Sequence, residues 1–243
     1  MLSQRVALIA GASGGIGRAL ADRYSKAGYA VIAHYFRHRD RATSLCREIG
    51  RAGRSAFALA ADLRRAEQVA RLVELAIERF GRIDLLVNAA GTTRDRPLLR
   101  MPEPDWDEVI AAHLTGAFYL IRSVARSMRK SGGGQIINIG SLAAKRGRIG
   151  QANYTAAKAG LIALTQSAAR ELAPFNIRVN VVLPGIQPTG AFLSLSPSRR
   201  KELLEENLLG RSTSLEELCA FVVHLSSMSS ISGQVFNLDS RVA

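Results

Sequence analysis

The chain has 243 residues, enough for one α/β domain with a full core or for two small ones. Apolar residues make up 47% and aromatics 6%, which excludes a disordered chain and implies a core of Ala, Leu, Ile and Val. The balance is basic, with 33 Lys and Arg against 20 Asp and Glu and a net charge of +13, but Arg23, Arg47, Arg71, Arg82 and Arg122 are scattered among acids, which argues against nucleic-acid binding and leaves a solvated surface or a docking face for an acidic partner.

The apolar run Val6–Ala10 reads as a strand and is too short for a signal-peptide core. It leads into Gly11-Ala-Ser-Gly-Gly-Ile-Gly17, which opens a helix over Ile16–Ala27. Glycines between a first strand and a first helix let the backbone turn tightly and approach a pyrophosphate, whose charge sits at the helix N-terminus. A second strand, Ala30–Tyr35, ends in His34-Tyr35-Phe36-Arg37, and a helix follows over Arg41–Ala52. A site selective for NAD usually carries an acid at this strand end. None appears before Asp40, and Arg37 with Arg39 nearby suits a 2′-phosphate, so the expected cofactor is NADP(H); the plainer alternative is a surface arginine.

Ala56–Ala60 reads as the third strand, with Asp62 at its ligand-facing end, either against the adenine or as a cap for the helix Ala66–Phe80. In that helix Val69, Leu72, Val73, Ala76, Ile77 and Phe80 recur at helical spacing. Leu85–Val87 is the fourth strand, followed by Asn88-Ala-Ala-Gly91, whose small residues permit close cofactor approach. A helix is expected over Trp106–Lys130 and a strand over Ile136–Ile139, after which comes Ser141.

Tyr154 and Lys158 lie four apart in a predicted helix over Ala152–Ala173 and so share a face. A tyrosine with a pKa of about 10 is a poor proton donor at neutral pH. A fixed ammonium beside it lowers that pKa and makes it a usable acid or base for a carbonyl receiving hydride. Ser141, at a strand end, can hydrogen-bond the same carbonyl. Val179–Leu183 is the sixth strand. Gln187–Gly210, with Pro188, Pro197 and the run Ser194–Ser198, is the least regular stretch and the expected mobile substrate lid. A helix over Leu215–Ser226 and a strand over Val235–Leu238 complete the pattern.

Strands apolar throughout, alternating with helices, predict a single doubly wound Rossmann-type α/β domain: a seven-stranded parallel sheet with helices on both faces. His34, His38, His113 and His224 show no metal spacing, and no nucleophile elbow or Walker lysine appears. No apolar run of about 18 residues suggests a membrane span. Cys46 and Cys219 stand far apart, in keeping with a reducing, cytoplasmic setting.

Gly11-x-x-x-Gly15-x-Gly17, Asn88-Ala-Ala-Gly91, Ser141, Tyr154-x-x-x-Lys158 and Pro184-Gly185, in this order and spacing, resemble the short-chain dehydrogenase/reductase family over nearly the whole chain. Within it, Gly91-Thr-Thr-Arg-Asp, Ile136-Ile-Asn-Ile-Gly-Ser and Gly150-Gln-Ala-Asn-Tyr-Thr-Ala-Ala-Lys are most similar to 3-oxoacyl-acyl-carrier-protein reductases. The resemblance implies NADPH-dependent reduction of an acyl-carrier-protein-linked 3-oxoacyl thioester in fatty-acid or related acyl-chain synthesis. It makes Tyr154 the proton donor, Lys158 the holder of the nicotinamide ribose and Ser141 the group that orients the carbonyl. Cofactor contacts are implied for Gly11, Ser13, Gly14, Gly15, Ile16 and Gly17. They are also implied for Arg37, Asp62, Leu63, Asn88, Ala89, Ala90 and Gly91, and for Pro184, Gly185, Gln187 and Thr189 around the nicotinamide. A homotetramer paired through the helices Trp106–Lys130 and Ala152–Ala173 is implied likewise.

The chain departs from the family pattern at several places. His113-Leu-Thr-Gly116 stands where the family carries an asparagine in Asn-Leu-x-Gly, the fourth catalytic position. An imidazole can donate and accept hydrogen bonds, so the expectation is a retained but altered proton path to Lys158. Ala10 replaces a threonine, and Gly14 replaces a frequent arginine beside the cofactor phosphates. Phe175 stands where a carrier-docking arginine is often found, with Arg129 and Lys130 still available to an acidic carrier. Two alternatives stay open: reduction of another ketone, quinone or sugar-like substrate by the same chemistry, and a cofactor-binding regulator in which His113 marks weakened catalysis.

Overall fold

The computed structural model describes residues 4–193 and 195–241. Among them, seven strands form one parallel sheet: β1 (Val6–Ala10), β2 (Ala30–Tyr35), β3 (Ala56–Ala60), β4 (Leu85–Asn88), β5 (Gly134–Ile139), β6 (Ile177–Leu183) and β7 (Val235–Asn237), in the order β3-β2-β1-β4-β5-β6-β7. Side chains of a strand point alternately to the two faces. Along β1, Val6, Leu8 and Ala10 join one hydrophobic cluster while Ala7 and Ile9 join the other, so neither face meets water. That is why the strand is apolar throughout.

The helices are α1 (Gly15–Lys26), α2 (Arg39–Arg51), α3 (Ala66–Phe80), α4 (Glu103–Ile110), α5 (Gly116–Lys130), α6 (Ala143–Arg146), α7 (Ala152–Leu172), α8 (Gly190–Leu193), α9 (Pro197–Glu205) and α10 (Leu215–Ser227). Leu72 of α3, Leu120 and Val124 of α5 and Ala168 of α7 cover one face; Leu20 of α1, Leu45 of α2 and Val222 of α10 cover the other. Chain order reverses between β1 and β4, so the loops at their carboxyl ends part and leave a crevice. No helix among the described residues is long and apolar enough to cross a membrane.

Two sequence expectations change. The helix expected over Trp106–Lys130 starts earlier, at Glu103, and is broken by a π-helical turn over Ala111–Thr115 that carries His113 inward. Such a turn inserts one residue into the hydrogen-bond ladder and often marks a functional position. The stretch Gln187–Gly210 is not an irregular connection: it contains α8 and α9. Ser196 caps α9 by accepting the Arg199 N–H at 3.3 Å, and Pro197 occupies its first turn, where a missing N–H costs nothing. The residues that suggested irregularity therefore start a helix. Ser194 lies outside the described residues.

Candidate active site

The glycine loop follows β1 and is tied from behind. Gly11 has a φ of +79°, a conformation that L side chains rarely adopt, and a Cβ there would lie 2.7 Å from the Ala90 Cα. At Gly17 a Cβ would lie 2.2 Å from the Gly11 carbonyl oxygen, so the loop closes only on hydrogen. His34, buried at the end of β2, accepts the Gly11 N–H through Nδ1 at 3.1 Å and holds the Ala61 carbonyl through Nε2 at 3.0 Å. Both bonds require the neutral ring with its proton on Nε2. Burial lowers the pKa of His34 to about 4, which keeps it in that form.

One end of the crevice, a cleft of about 360 Å³, is lined by Gly11, Ser13, Gly14, Arg37, Asp62, Leu63 and Ala89–Gly91, with Phe36, Arg41 and Arg64. Asp62 is not a free acceptor there. Its carboxylate takes two bonds from the Arg64 side chain at 2.8 and 2.7 Å and one from the Arg64 N–H at 3.1 Å. These bonds hold its pKa below the usual carboxylate range. The guanidinium carbons of Arg37 and Arg64 each sit 5.2 Å from the centre of the Phe36 ring. Glu108, the other acid in this cleft, is paired with Arg94 at 2.9 Å.

The other end, about 570 Å³, brings together Ser141, Tyr154, Lys158 and His113 with Ile16, Ala89–Gly91, Pro184, Gly185, Gln187 and Thr189. Ser141 follows β5, and α7 begins near the same edge of the sheet. The buried amide of Asn153 fixes the first turn of α7: it donates to the Arg94 and Asp105 carbonyls at 3.0 Å each and accepts the Tyr154 N–H at 2.7 Å. Lys158 donates to the Ile139 carbonyl at 2.6 Å, and its Nζ lies 5.7 Å from the Tyr154 ring centre. His113 places Nε2 at 2.7 Å from the Thr92 carbonyl and 3.1 Å from the Thr92 nitrogen.

The electrostatics differ from the sequence expectation. Burial raises the pKa of Tyr154, offset in part by a hydrogen bond from Ser141 and by the charge of Arg148. Lys158 is itself pushed down to about 8 by burial. Desolvation, then the nearby Lys158 charge, lowers His113 to about 3, so its imidazole is neutral. The centre therefore holds a protonated phenol, a hydroxyl and a neutral imidazole at neutral pH, a set suited to giving a proton to a carbonyl oxygen.

A family model described as short chain dehydrogenase matches residues 5–199. The chain belongs to this family. It is an oxidoreductase acting on CH–OH or C=O groups, and its cofactor is a nicotinamide dinucleotide. The chain is 39% identical over 219 residues to the 3-oxoacyl-[acyl-carrier-protein] reductase FabG of Staphylococcus epidermidis, covering 89% of this chain and 90% of that protein. It is 38% identical over 238 residues to the 3-oxoacyl-[acyl-carrier-protein] reductase of Synechocystis, covering 98% and 96%. With FabG of Staphylococcus aureus it shares 39% over 225 residues, 91% and 92% of the two chains.

The residues of this short-chain dehydrogenase fit such a cofactor. Ala89, Ala90 and Gly91 line both clefts, so the two are contiguous along the crevice. Two buried polar atoms without partners, His113 Nδ1 and Gln187 Oε1, belong to residues lining the second cleft, where a ligand's polar groups can satisfy them. Of the residues expected around the cofactor, Asn88 lines neither cleft. Its amide donates to Asn138 Oδ1 at 3.4 Å and stitches β4 to β5. Gly15 and Gly17 shape the turn rather than its lining; a Cβ on Gly15 would lie 2.6 Å from Thr189 Cγ2.

Sequence reasoning missed His34, Asn153 and Arg64. Asn153 stands beside Tyr154 and Arg64 follows Asp62 by two, but nothing local shows that Asn153 bonds carbonyls 48 and 59 positions away. Phe175, in the place of a docking arginine, lies under the Arg129 guanidinium at 4.6 Å.

Proposed function

We propose that the enzyme reduces the keto group of a 3-oxoacyl thioester, carried on acyl carrier protein, to the 3-hydroxyacyl thioester with NADPH. The observation that carries this reading is the convergence of Ser141, Tyr154 and Lys158 on one cleft in a chain 39% identical to a FabG reductase. NADPH is favoured over NADH by the adenosine end: Arg37 and Arg41 line it, while Asp62 and Glu108 are engaged by other arginines. The dinucleotide would lie with its pyrophosphate on the Gly11–Gly17 turn, its ribose on Lys158 and its nicotinamide beside Pro184, Gly185, Gln187 and Thr189. When bound it supplies hydride to the keto carbon.

The protein supplies the rest. Ser141 and Tyr154 hydroxyls hold the keto oxygen and oppose the charge that develops on it. Tyr154 gives that oxygen its proton as the carbon is reduced, and Lys158 stabilises the phenolate left behind. His113 keeps the Thr92 backbone in place beside this pair and links it to the proton path. Ile186, Phe192, Leu195 and Leu203 give the cleft an apolar wall for an acyl chain, and α8 and α9 form its lid. A homotetramer would pair through the stretch formed by α4 and α5 and through α7; the exposed large hydrophobic residues Trp106 of α4 and Phe118 of α5 support this for the first. The free thiols Cys46 and Cys219 agree with a cytoplasmic setting.

The test is NADPH consumption with acetoacetyl thioesters of acyl carrier protein and of coenzyme A, each also run with NADH. Turnover greatest with NADPH and the carrier-protein form is expected. Intact NADPH binding with no turnover on either thioester would overturn the reading.

A further inference from the structure

The substrate side of the reactive cleft is strongly cationic. Beyond Tyr154 its wall carries Arg146, Arg148, Arg199 and Arg241 against two carboxylates, Asp95 and Glu206. Three of these arginines are paired. Arg146 and Arg241 share Glu206, and Arg241 is also gripped by Asp239 through bonds of 2.9 and 2.5 Å. Arg199 meets Glu202 at 2.5 Å along α9. Asp95 accepts from Gln151 at 2.8 Å. Arg148, between α6 and α7, has no ion pair and no side-chain hydrogen bond among the described residues.

We propose that Arg148, with Arg199 beside it, forms an anion subsite that takes a carboxylate or phosphate carried by the substrate whose keto group rests on Ser141 and Tyr154. The proposal rests on the keto-reductase reading and narrows its substrate class to molecules with an apolar segment and one anionic group. A guanidinium presents a planar fork that matches either anion with two parallel bonds. Arg148 is exposed on the cleft wall, where partial desolvation and the like charges of Arg199 and Arg241 disfavour its cationic form and Asp95 and Glu206 offset this in part. It lines the cleft that holds Tyr154 and not the adenosine end, and its charge acts on Tyr154. Ile186, Phe192, Leu195 and Leu203 in the same cleft supply the apolar part of the match.

The test compares three 3-oxoacyl thioesters of one chain length. The first is a neutral N-acetylcysteamine thioester, the second the same compound with a terminal carboxylate on the acyl chain, and the third a 4′-phosphopantetheine thioester. We expect one anionic form to exceed the neutral one in kcat/KM by about tenfold, through KM, the size of one partly exposed charge-assisted pair. Which form it is names the source of the anion. R148Q is expected to erase the preference, R148K to restore part of it and R199Q to weaken it. A wild-type enzyme indifferent to both anions, or an R148Q variant that keeps the preference, overturns the proposal. If no thioester is turned over, the reductase reading fails, and calorimetric titration with hexanoate and hexanamide decides the subsite alone. It stands if the acid binds more tightly and R148Q removes the difference, and falls otherwise.

Discussion

The imidazole of His113 meets the Tyr154 ring edge to face, with centroids 5.0 Å apart and planes at 89°, while its Nε2 faces both the N–H and the carbonyl of Thr92. One ring nitrogen cannot accept and donate at once, so one Thr92 group goes without this partner in either tautomer. An asparagine amide carries a donor and an acceptor together. His113→Asn is therefore expected to keep kcat or raise it a few-fold. His113→Ala should lower kcat at least tenfold and stability by about 1–3 kcal/mol, the cost of unsatisfied buried groups. Steady-state kinetics with denaturant unfolding on both variants checks this, and a His113→Ala enzyme as active as the wild type removes His113 from the proton path.

Tyr154→Phe deletes the proton donor and leaves the cofactor crevice intact. A loss of about 10² to 10⁴ in kcat is expected, with NADPH affinity by fluorescence titration nearly unchanged. Because burial raises the Tyr154 pKa, the phenol stays protonated through neutral pH. Ketone reduction should then hold steady through neutral pH and fall in alkali, while oxidation of the corresponding alcohol should rise with pH. Opposite slopes in the two directions are the signature to look for.

Cofactor choice is expected to turn on two positions. Arg37→Ala should raise KM for NADPH about tenfold and leave KM for NADH little changed, as loss of a charge-assisted phosphate contact does. A Cβ on Gly14 would meet only the Gly11 carbonyl oxygen, at 3.4 Å, and the backbone there is extended with φ −89°. Gly14→Arg is therefore expected to fold normally and to tighten NADPH relative to NADH. Binding of 2′,5′-ADP against 5′-AMP by calorimetry reads both changes without turnover.

Acid should weaken the fold through its two buried histidines. The pKa of His34 falls from 6.5 to about 4 on folding and that of His113 to about 3, so the folded state binds protons less readily than the unfolded chain. The stability they contribute is full above pH 6.5 and is lost as pH falls toward those lower values, by about 3 kcal/mol for His34 alone. His34→Gln keeps a donor for Ala61 and cannot titrate. Urea unfolding at pH 7, 5.5 and 4.5 should show a shallower loss for this variant than for the wild type; equal slopes would assign the acid sensitivity elsewhere.

The sequence by itself determined the sheet, its parallel strands and the position of each reactive residue along the chain. These depend on local signals: apolar runs that alternate with helical periodicity, and glycines and a Tyr-x-x-x-Lys pair at fixed offsets from strand ends. It also contained the start of α9, in Ser196 and Pro197, although those residues had first suggested a loop. What only the tertiary structure decided is how each polar group is employed. Asn88 ends β4 and Asp62 follows β3 by two residues, both at the ligand edge, yet Asp62 is taken up by Arg64 and Asn88 by Asn138. Tyr154 has its pKa raised where the neighbouring lysine had suggested the reverse, because burial outweighs the hydrogen bond from Ser141 and the charge of Arg148. His113 replaces an asparagine on paper, but its neutrality and its single shared nitrogen come from the π turn that buries it against Thr92. Pairing, desolvation and protonation depend on atoms brought together from distant parts of the chain, and local residue patterns do not encode those distances.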